Sequence, residues 1–493
     1  MPRTTLPALT CAEAARREKA FLRGSEKRSL TLMHRAAEGL RTEIVQHLGS
    51  RLGHILVLAG KGNNGADAVL TAALLRSPRT RVTVLFAEGL PTTGQPAIIW
   101  SQHGAGMRVG GPQDLPRLLR SEFDVILDGL LGQGFHPPLR APYAALIRAC
   151  AKLRGFRVAI DLPSGLGDGA TGPAVRADLT VSIGALKRPL LQATAEAVRG
   201  RLRVIDIGLP GKSGTEACAT PHALEALRKL RPANTEKRQQ GRVLIMAGSQ
   251  TMPGAALMNT AAALQGGAGL VTTCLPRKIQ ARAAVAYPEA MWRGLETTAA
   301  GTLAEQPNSA TLANKDVLLT GSGMGSEAVA YLQTLLAGFI GDRVLDADAL
   351  RPEVVQACRA RRGVTVLLPH AGEFLRLSGQ PLTAAHGMAY ARRTRALVVL
   401  KGPLTAVTDG RRLVHIPFGG PVLARGGSGD LLAGVVAAVL ARRRSLGLTA
   451  FDAVVAAVTW HAQAADLLRQ QRGEEAIRTT ELLPRLSQVL RGR

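Results

Sequence analysis

Short apolar runs alternate with helical stretches twice along this chain, and that alternation restricts its fold more than any single residue does. In the first half, runs at 54–59, 81–86, 124–128, 158–161, 179–183 and 203–207 read as strands that are apolar almost throughout. Helical patterns at 66–76 and 143–154 fall between them. Strands buried on both faces and separated by helices build a parallel sheet covered on each side. The pattern then restarts with runs at 242–247, 270–274, 316–320, 343–346, 364–368 and 397–400, and a long helical segment follows Gly429. No sequence repeat relates the two halves. The expectation is an α/β chain of two different domains. Residues 1–215 form a doubly wound sheet, 216–235 a linker with a short helix near 224–230, and 236–493 an α/β/α sandwich.

Composition removes several classes. With 493 residues and 46% hydrophobic content the chain can bury two cores, which excludes a disordered protein. No apolar run approaches the roughly 18–20 residues of a bilayer span, so no membrane role is expected. Arg16, Arg17, Glu18 and Lys19 interrupt the first 28 residues, which lack the apolar core of a signal peptide; a cytoplasmic location is expected. The five cysteines, at 11, 150, 218, 274 and 358, are scattered, without a C-x-x-C pair, and read as buried thiols. The net charge of +26 comes from short arginine clusters such as Arg361-Arg362, Arg392-Arg393 and Arg442-Arg443-Arg444. With only 3% aromatics to stack on bases, these read as a solvated surface and not as a specific nucleic-acid site.

In the first half, GKGNNGAD (60–67) follows a strand and opens a helix. Glycines let backbone amides approach phosphate, and a helix N-terminus favours negative charge. Two further strand ends carry comparable chemistry: DVILDGLLGQG (124–134), and AIDLPSGL (159–166) with Asp161 and Ser164. Three such exits at one edge of an open sheet point to a nucleotide site.

Together with VSIGALK (181–187), these motifs resemble the epimerase domain of the NAD(P)H-hydrate repair enzymes, over roughly residues 10–212. That resemblance implies a Rossmann-like fold and interconversion of the R and S hydrates of NADH or NADPH. It implies that Asn63, Asn64, Gly65, Ala66 and Asp67, with Gly132, Gln133, Gly134, Phe135, His136, Pro137 and Pro138, contact the dinucleotide. It implies that Asn64, Asp128 and Ser164 hold a potassium ion and that Asp161 is the acid/base. Where the family loop has glycines, this chain has Ala66 and Ala68; a methyl at Ala66 is costly if that position needs φ > 0. The family's Ser-Gly-Leu-Asp becomes Ser164-Gly-Leu-Gly167, with Asp168 displaced by one.

In the second half, ARGGSGD (424–430) precedes a long apolar helix. Glycines at a helix N-terminus aim amides at one point, suited to a transferring phosphoryl group, and Asp430 stands where it can take a proton from an attacking hydroxyl. The segment KGPLT (401–405) ends a strand with a basic residue, and PHAGE (369–373) places His370 at another strand end. Asp346 and Asp348 follow a further strand and could approach Mg²⁺ through water.

These segments, with GSQTMPGA (248–255), GGAGLV (266–271) and GSGMG (321–325), are similar to the ribokinase-like dehydratase domain of the same repair family, over about 232–485. The likeness implies ADP-dependent dehydration of the S epimer, with Mg²⁺ accompanying ADP. It implies Asp430 as the base; Lys401, Gly402, Pro403, Leu404, Thr405 and Gly429 at the adenine nucleotide; and Ala255, Gly323, His370 and Asp430 at the hydrate. The partners expected are hydrated NADH or NADPH and ADP, in a homo-oligomer. Two other readings stand beside this one. A ribokinase-like small-molecule kinase with a degenerate N-terminal nucleotide-binding domain would carry the same anion hole and base. A non-catalytic nucleotide or nucleic-acid binder would account for the charge.

Overall fold

Runs that are apolar at every position become the inner strands of two sheets. The computed structural model describes residues 3–211, 213–359 and 362–491; Lys212 of the 209–214 passage and Arg361 of the Arg361-Arg362 pair lie outside the described residues. The chain divides into two compact units. One is Leu6–Thr220; the other runs from Pro221 onward and includes the N-terminal residues up to Thr5.

In the first unit the strands are β1 (Thr5–Leu9), β2 (His54–Ala59), β3 (Arg81–Phe86), β4 (Arg108–Gly110), β5 (Glu122–Gly129), β6 (Arg154–Ile160), β7 (Leu179–Ile183), β8 (Leu186–Lys187), β9 (Arg201–Ile205) and β10 (Glu216–Ala219). Seven of them form a parallel sheet in the order β4-β3-β2-β5-β6-β7-β9. Strand order reverses between β2 and β5, and the crevice beyond the carboxyl ends of such a pair is where open α/β sheets bind ligands. β1 pairs in parallel with β8 through Ala8–Leu186 and Leu9–Lys187. Residues 216–219, expected in a linker, form β10.

Helices Cys11–Leu22 and Glu26–Leu48 lie outside the expected elements. The first is capped twice. Thr10 and Glu13 form a reciprocal capping box, and both carboxylate oxygens of Asp168 accept from the Cys11 and Ala12 amides at 3.0 Å. The displaced aspartate thus has a structural task. The second buries Leu32, Met33, Ala36, Ala37, Leu40 and Ile44, a face of helical period, against the sheet core.

In the second unit β11 (Arg242–Met246), β12 (Leu270–Pro276), β13 (Met291–Leu295), β14 (Val317–Thr320), β15 (Asp342–Leu345), β16 (Thr365–Leu367), β17 (Leu397–Leu400), β18 (Thr405–Thr408) and β19 (Leu413–Ile416) lie in the order β13-β12-β11-β14-β15-β16-β17-β18-β19. Pairing is parallel from β13 through β17, then antiparallel to β18 and β19. Helix Ser428–Arg442 packs on helix Pro253–Gln265, and a Cβ at Gly434 would stand 2.5 Å from the Asn259 carbonyl oxygen. That missing methyl lets the two backbones touch.

Of the arginine clusters, Arg362, Arg392, Arg393 and Arg444 are exposed, in keeping with a solvated surface, whereas Arg442 is buried and Arg443 half-buried. Arg343 is fully buried and donates to the Phe339 and Arg362 carbonyls, Arg442 donates to the Gly266 carbonyl at 2.8 Å, and Arg443 pairs with Asp342. Guanidinium groups here close loop and helix ends whose carbonyls lack backbone donors. The five cysteines are free and buried, as their scatter implied. No helix among the described residues is long and apolar enough to cross a membrane.

Candidate active sites

In the first unit the strand order brings Asn63, Asn64, Asp67, Gly132, Gln133, Gly134, Phe135 and Asp161 around one cavity of about 750 Å³, with Glu18 and Lys187. Helix Asn63–Leu75 begins at the cavity with Gly62 as its cap, and no side chain satisfies its first amides. Gly60 and Gly65 make this possible. A Cβ at Gly60 would stand 2.0 Å from the Leu130 carbonyl oxygen, and one at Gly65 2.1 Å from the Gly60 carbonyl oxygen. Neither position has room for a methyl. Gly65→Ala is therefore expected to destabilise the first unit by about 3 kcal/mol, measured as a lower denaturation midpoint.

Ala66 and Ala68 are different. Both are buried inside the helix, and neither is among the described residues with positive φ, so the methyl at Ala66 meets no backbone strain. Gly65 and Ala66 do not line the cavity. Pro137 and Pro138, joined by a cis peptide, line a separate pocket of about 400 Å³ with Phe135, and His136 lines neither pocket.

Asp161 sits just past β6 at φ +68°, a left-handed conformation unusual for a non-glycine residue. Its carboxylate accepts from the Ile183 amide at 3.0 Å and pairs with the Lys187 ammonium, which also donates to the Ile183 carbonyl. Both side chains are almost fully buried. Burial pushes the Asp67 carboxyl well above the usual carboxylate range, reinforced by Glu18 and Asp161. Burial likewise raises Glu18, which accepts a 2.6 Å bond from Gln133. The cavity thus holds a lysine-paired carboxylate beside two carboxyls whose pKa burial raises.

Behind the loop, Ser164 donates through Oγ to Asp128 at 2.5 Å and through its amide at 2.8 Å. Asn64 Nδ2 and Ser164 Oγ both reach the Leu131 carbonyl, at 3.0 and 3.3 Å. Burial raises Asp128 to about 6 despite the Ser164 and Leu130 donors. Carboxylate, amide, hydroxyl and carbonyl oxygens meet here, a donor set that fits a hard cation.

In the second unit the loops after β11, β14, β15, β16 and β17 converge on the start of helix Ser428–Arg442. Gly427 is its cap, in a left-handed conformation, and Asp430 lies in its first turn. The half-buried Asp430 carboxyl is pushed up to about 6, by burial first and then by Asp346, while the Ser322 hydroxyl and Lys401 pull it back. Beneath Gly429, a Cβ would stand 3.5 Å from Asp346 Oδ2 and 3.6 Å from Lys401 Nζ. Lys401 donates to Asp346 at 2.8 Å and lies 3.6 Å from Glu373. Burial opposes its charge, but the two carboxylates outweigh that and hold its pKa above the ordinary value.

Ala255 and Gly323 are neighbours: a Cβ at Gly323, which has φ +65°, would stand 2.9 Å from the Ala255 Cβ. Gly323 adjoins Ser322, and His370 reaches the cluster through Glu373. Gly402 and Pro403 are exposed beyond Lys401, with Leu404 and Thr405 half-buried. Asp348 is not turned to the cluster but accepts from the Gly325 amide at 2.9 Å. Among the described residues no group of three or more His, Cys, Asp or Glu side chains is disposed to hold a metal directly.

Sequence reasoning missed Glu18, Ser322 and Asn259. Asn259 is fully buried and donates to the Asp430 carbonyl at 2.8 Å, fastening the first turn of helix Ser428–Arg442 to the neighbouring helix. A polar residue in an otherwise small apolar helix was the signal available.

A family model described as NAD(P)H-hydrate dehydratase matches residues 243–488, and one described as YjeF-related protein N-terminus matches residues 29–189. The bifunctional NAD(P)H-hydrate repair enzyme of Thermosynechococcus vestitus is 32% identical over 99% of this chain and 98% of that protein. The enzyme of the same name from Moorella thermoacetica is 32% identical over 94% and 92%. Among solved structures, a ribokinase-like superfamily protein from Enterococcus faecalis matches 57% of this chain and 98% of its own, at 26% identity and a TM-score of 0.50.

Proposed function

Because the chain belongs to the family of bifunctional NAD(P)H-hydrate repair enzymes, we propose that residues 1–215 epimerise the R and S hydrates of NADH and NADPH. Residues 236–493 then dehydrate the S epimer at the expense of ADP. The observation that carries this is the half-buried Asp430, set in the first turn of a glycine-capped helix beside Lys401 and Asp346.

In the dehydratase step, the Gly429 region and Lys401 receive the ADP phosphates, with Gly402, Pro403, Leu404 and Thr405 walling the nucleotide and Mg²⁺ accompanying it. Ala255, Gly323 and His370 hold the hydrated ring. Asp430 takes the proton of the hydrate's hydroxyl as that oxygen attacks the β-phosphorus, and AMP leaves. The ring nitrogen then expels phosphate, and loss of a ring proton restores the double bond. A base of pKa about 6 is free to accept a proton at neutral pH.

In the epimerase step, Asp161 passes a proton to and from the hydrate's hydroxyl as the carbinol carbon goes through its ring-opened or iminium form, whose bond re-forms on the other face, with Lys187 fixing the carboxylate. The uncapped amides at Asn63 and Asn64, with Gly132, Gln133, Gly134 and Phe135, receive the dinucleotide. Asn64, Asp128 and Ser164 would hold a potassium ion, which supplies fixed positive charge near the site. The proposed site of action is the cytoplasm.

The test is incubation of the purified chain with the S hydrate of NADPH and ADP. The nicotinamide absorbance near about 340 nm should return, with one AMP and one phosphate formed per NADPH. A phosphorylated product without recovered absorbance would instead identify a small-molecule kinase.

A further inference from the structure

Glu373 stands between the two ends of the second site. Its Oε2 accepts from the His370 amide at 2.8 Å and lies 3.6 Å from Lys401 Nζ, while Oε1 faces His370 Nε2 at 3.4 Å. The His370 Nδ1 accepts from the Gly372 and Glu373 amides, at 3.0 and 3.3 Å, so the ring's hydrogen belongs on Nε2, facing that carboxylate. We propose that Glu373 is a positioning residue that couples occupation of the hydrate side at His370 to occupation of the nucleotide side at Lys401. This rests on the dehydratase reading above.

One ammonium is shared unequally between two carboxylates. Lys401 is bonded to Asp346 and only loosely paired with Glu373, and all three are buried or nearly so. A phosphate arriving at Gly429 draws Lys401 Nζ toward it, 3.6 Å from where a Cβ there would be. Glu373 then loses part of its compensating charge in a dry setting, where an unpaired carboxylate is costly. The donors left to it are the His370 amide and Nε2–H, so the imidazole is held harder in the orientation that meets the hydrated ring. In reverse, a ring drawing on His370 leaves Glu373 to grip Lys401. Linkage makes the two effects equal.

Glu373 also closes the capping box of helix Ala371–Ser378. Glu373→Gln keeps an oxygen for the His370 amide while removing the charge and the acceptor that faces His370 Nε2, so it separates coupling from capping. The measurement is calorimetric titration of the full chain with ADP, alone and with saturating NADPH. NADPH shifts the ADP Kd of the wild type by about five-fold or more, and in Glu373→Gln the shift falls close to none. His370→Ala, which removes the hydrate end, also erases the shift and serves if the glutamine variant does not fold. A shift that persists in either folded variant, or is absent from the wild type, overturns the proposal. A wild type that fails to dehydrate the S hydrate overturns the dehydratase reading instead.

Discussion

Replacing Asp430 by Asn is expected to lower turnover of the S hydrate about a thousand-fold while making the second unit more stable at pH 7. The first effect follows from losing the base without changing the shape of the loop. The second follows from the direction in which burial moves the carboxyl. Its folded-state pKa is raised from 3.8 to about 6 by burial and by Asp346, so at pH 7 the protein holds an ionised group where the neutral form is preferred. A tenfold change in proton affinity is worth roughly 1.4 kcal/mol, and partial solvent screening reduces the total to about 1–2 kcal/mol. The stability favouring the protonated acid is full below 3.8 and lost as pH rises through about 6. The advantage of Asn must therefore shrink as pH falls from 7 to 4. Thermal denaturation of both proteins at pH 7 and pH 4 checks this, and wild-type turnover should fall as pH drops below about 6. Undiminished turnover in Asp430→Asn would remove Asp430 from the chemistry.

Asp161→Ala is expected to leave dehydration of the S hydrate intact and to slow enzymatic consumption of the R hydrate by about a hundred-fold or more. Because Lys187 is almost fully buried, removing its carboxylate strands an ammonium in the core and destabilises the first unit by about 3 kcal/mol. Asp161→Asn separates the two consequences. Its amide oxygen can still accept from Ile183 and Lys187, and Asn tolerates the left-handed backbone better than Ala. The Asn variant still lacks the charge opposite Lys187 but keeps an acceptor for it, so it should fold better than the Ala variant and still fail on R. If R is consumed at the wild-type rate by a folded Asn variant, Asp161 is not the acid/base.

Much of this arrangement was legible in the residues, for a physical reason. Strands buried on both faces must be apolar at each position, so the runs at 54–59, 81–86, 179–183 and 397–400 coincide with β2, β3, β7 and β17. Strand ends that bind ligands carry glycine next to polar groups, which is how Asp161 and Asp430 stood out. What was hidden depends on tertiary partners. β9 lies at Arg201–Ile205, two residues before the expected run, because Asp206 accepts the Gly208 amide and turns the chain there. β18 and β19 are antiparallel strands of only four residues each, and β13 is an edge strand with exposed residues. The cost of Ala66 depended on a backbone angle that spacing cannot give, and the helix supplies a permissive one. Glu18 reaches the first cavity from a helix far away in sequence. Arg442 looked like surface charge because composition counts charges and not the carbonyls that receive them.

If one chain carries both reactions, each in its own unit, the R hydrate of NADPH is the substrate that must pass through both. The decisive measurement supplies R free of S to the wild-type chain, with ADP present or withheld, and resolves both epimers in time. Without ADP the chain should bring R to an R–S mixture faster than buffer alone, with no NADPH formed. With ADP, R should disappear completely into NADPH with matching AMP. R that changes no faster than in buffer, or NADPH that appears without ADP, would refute this division of labour.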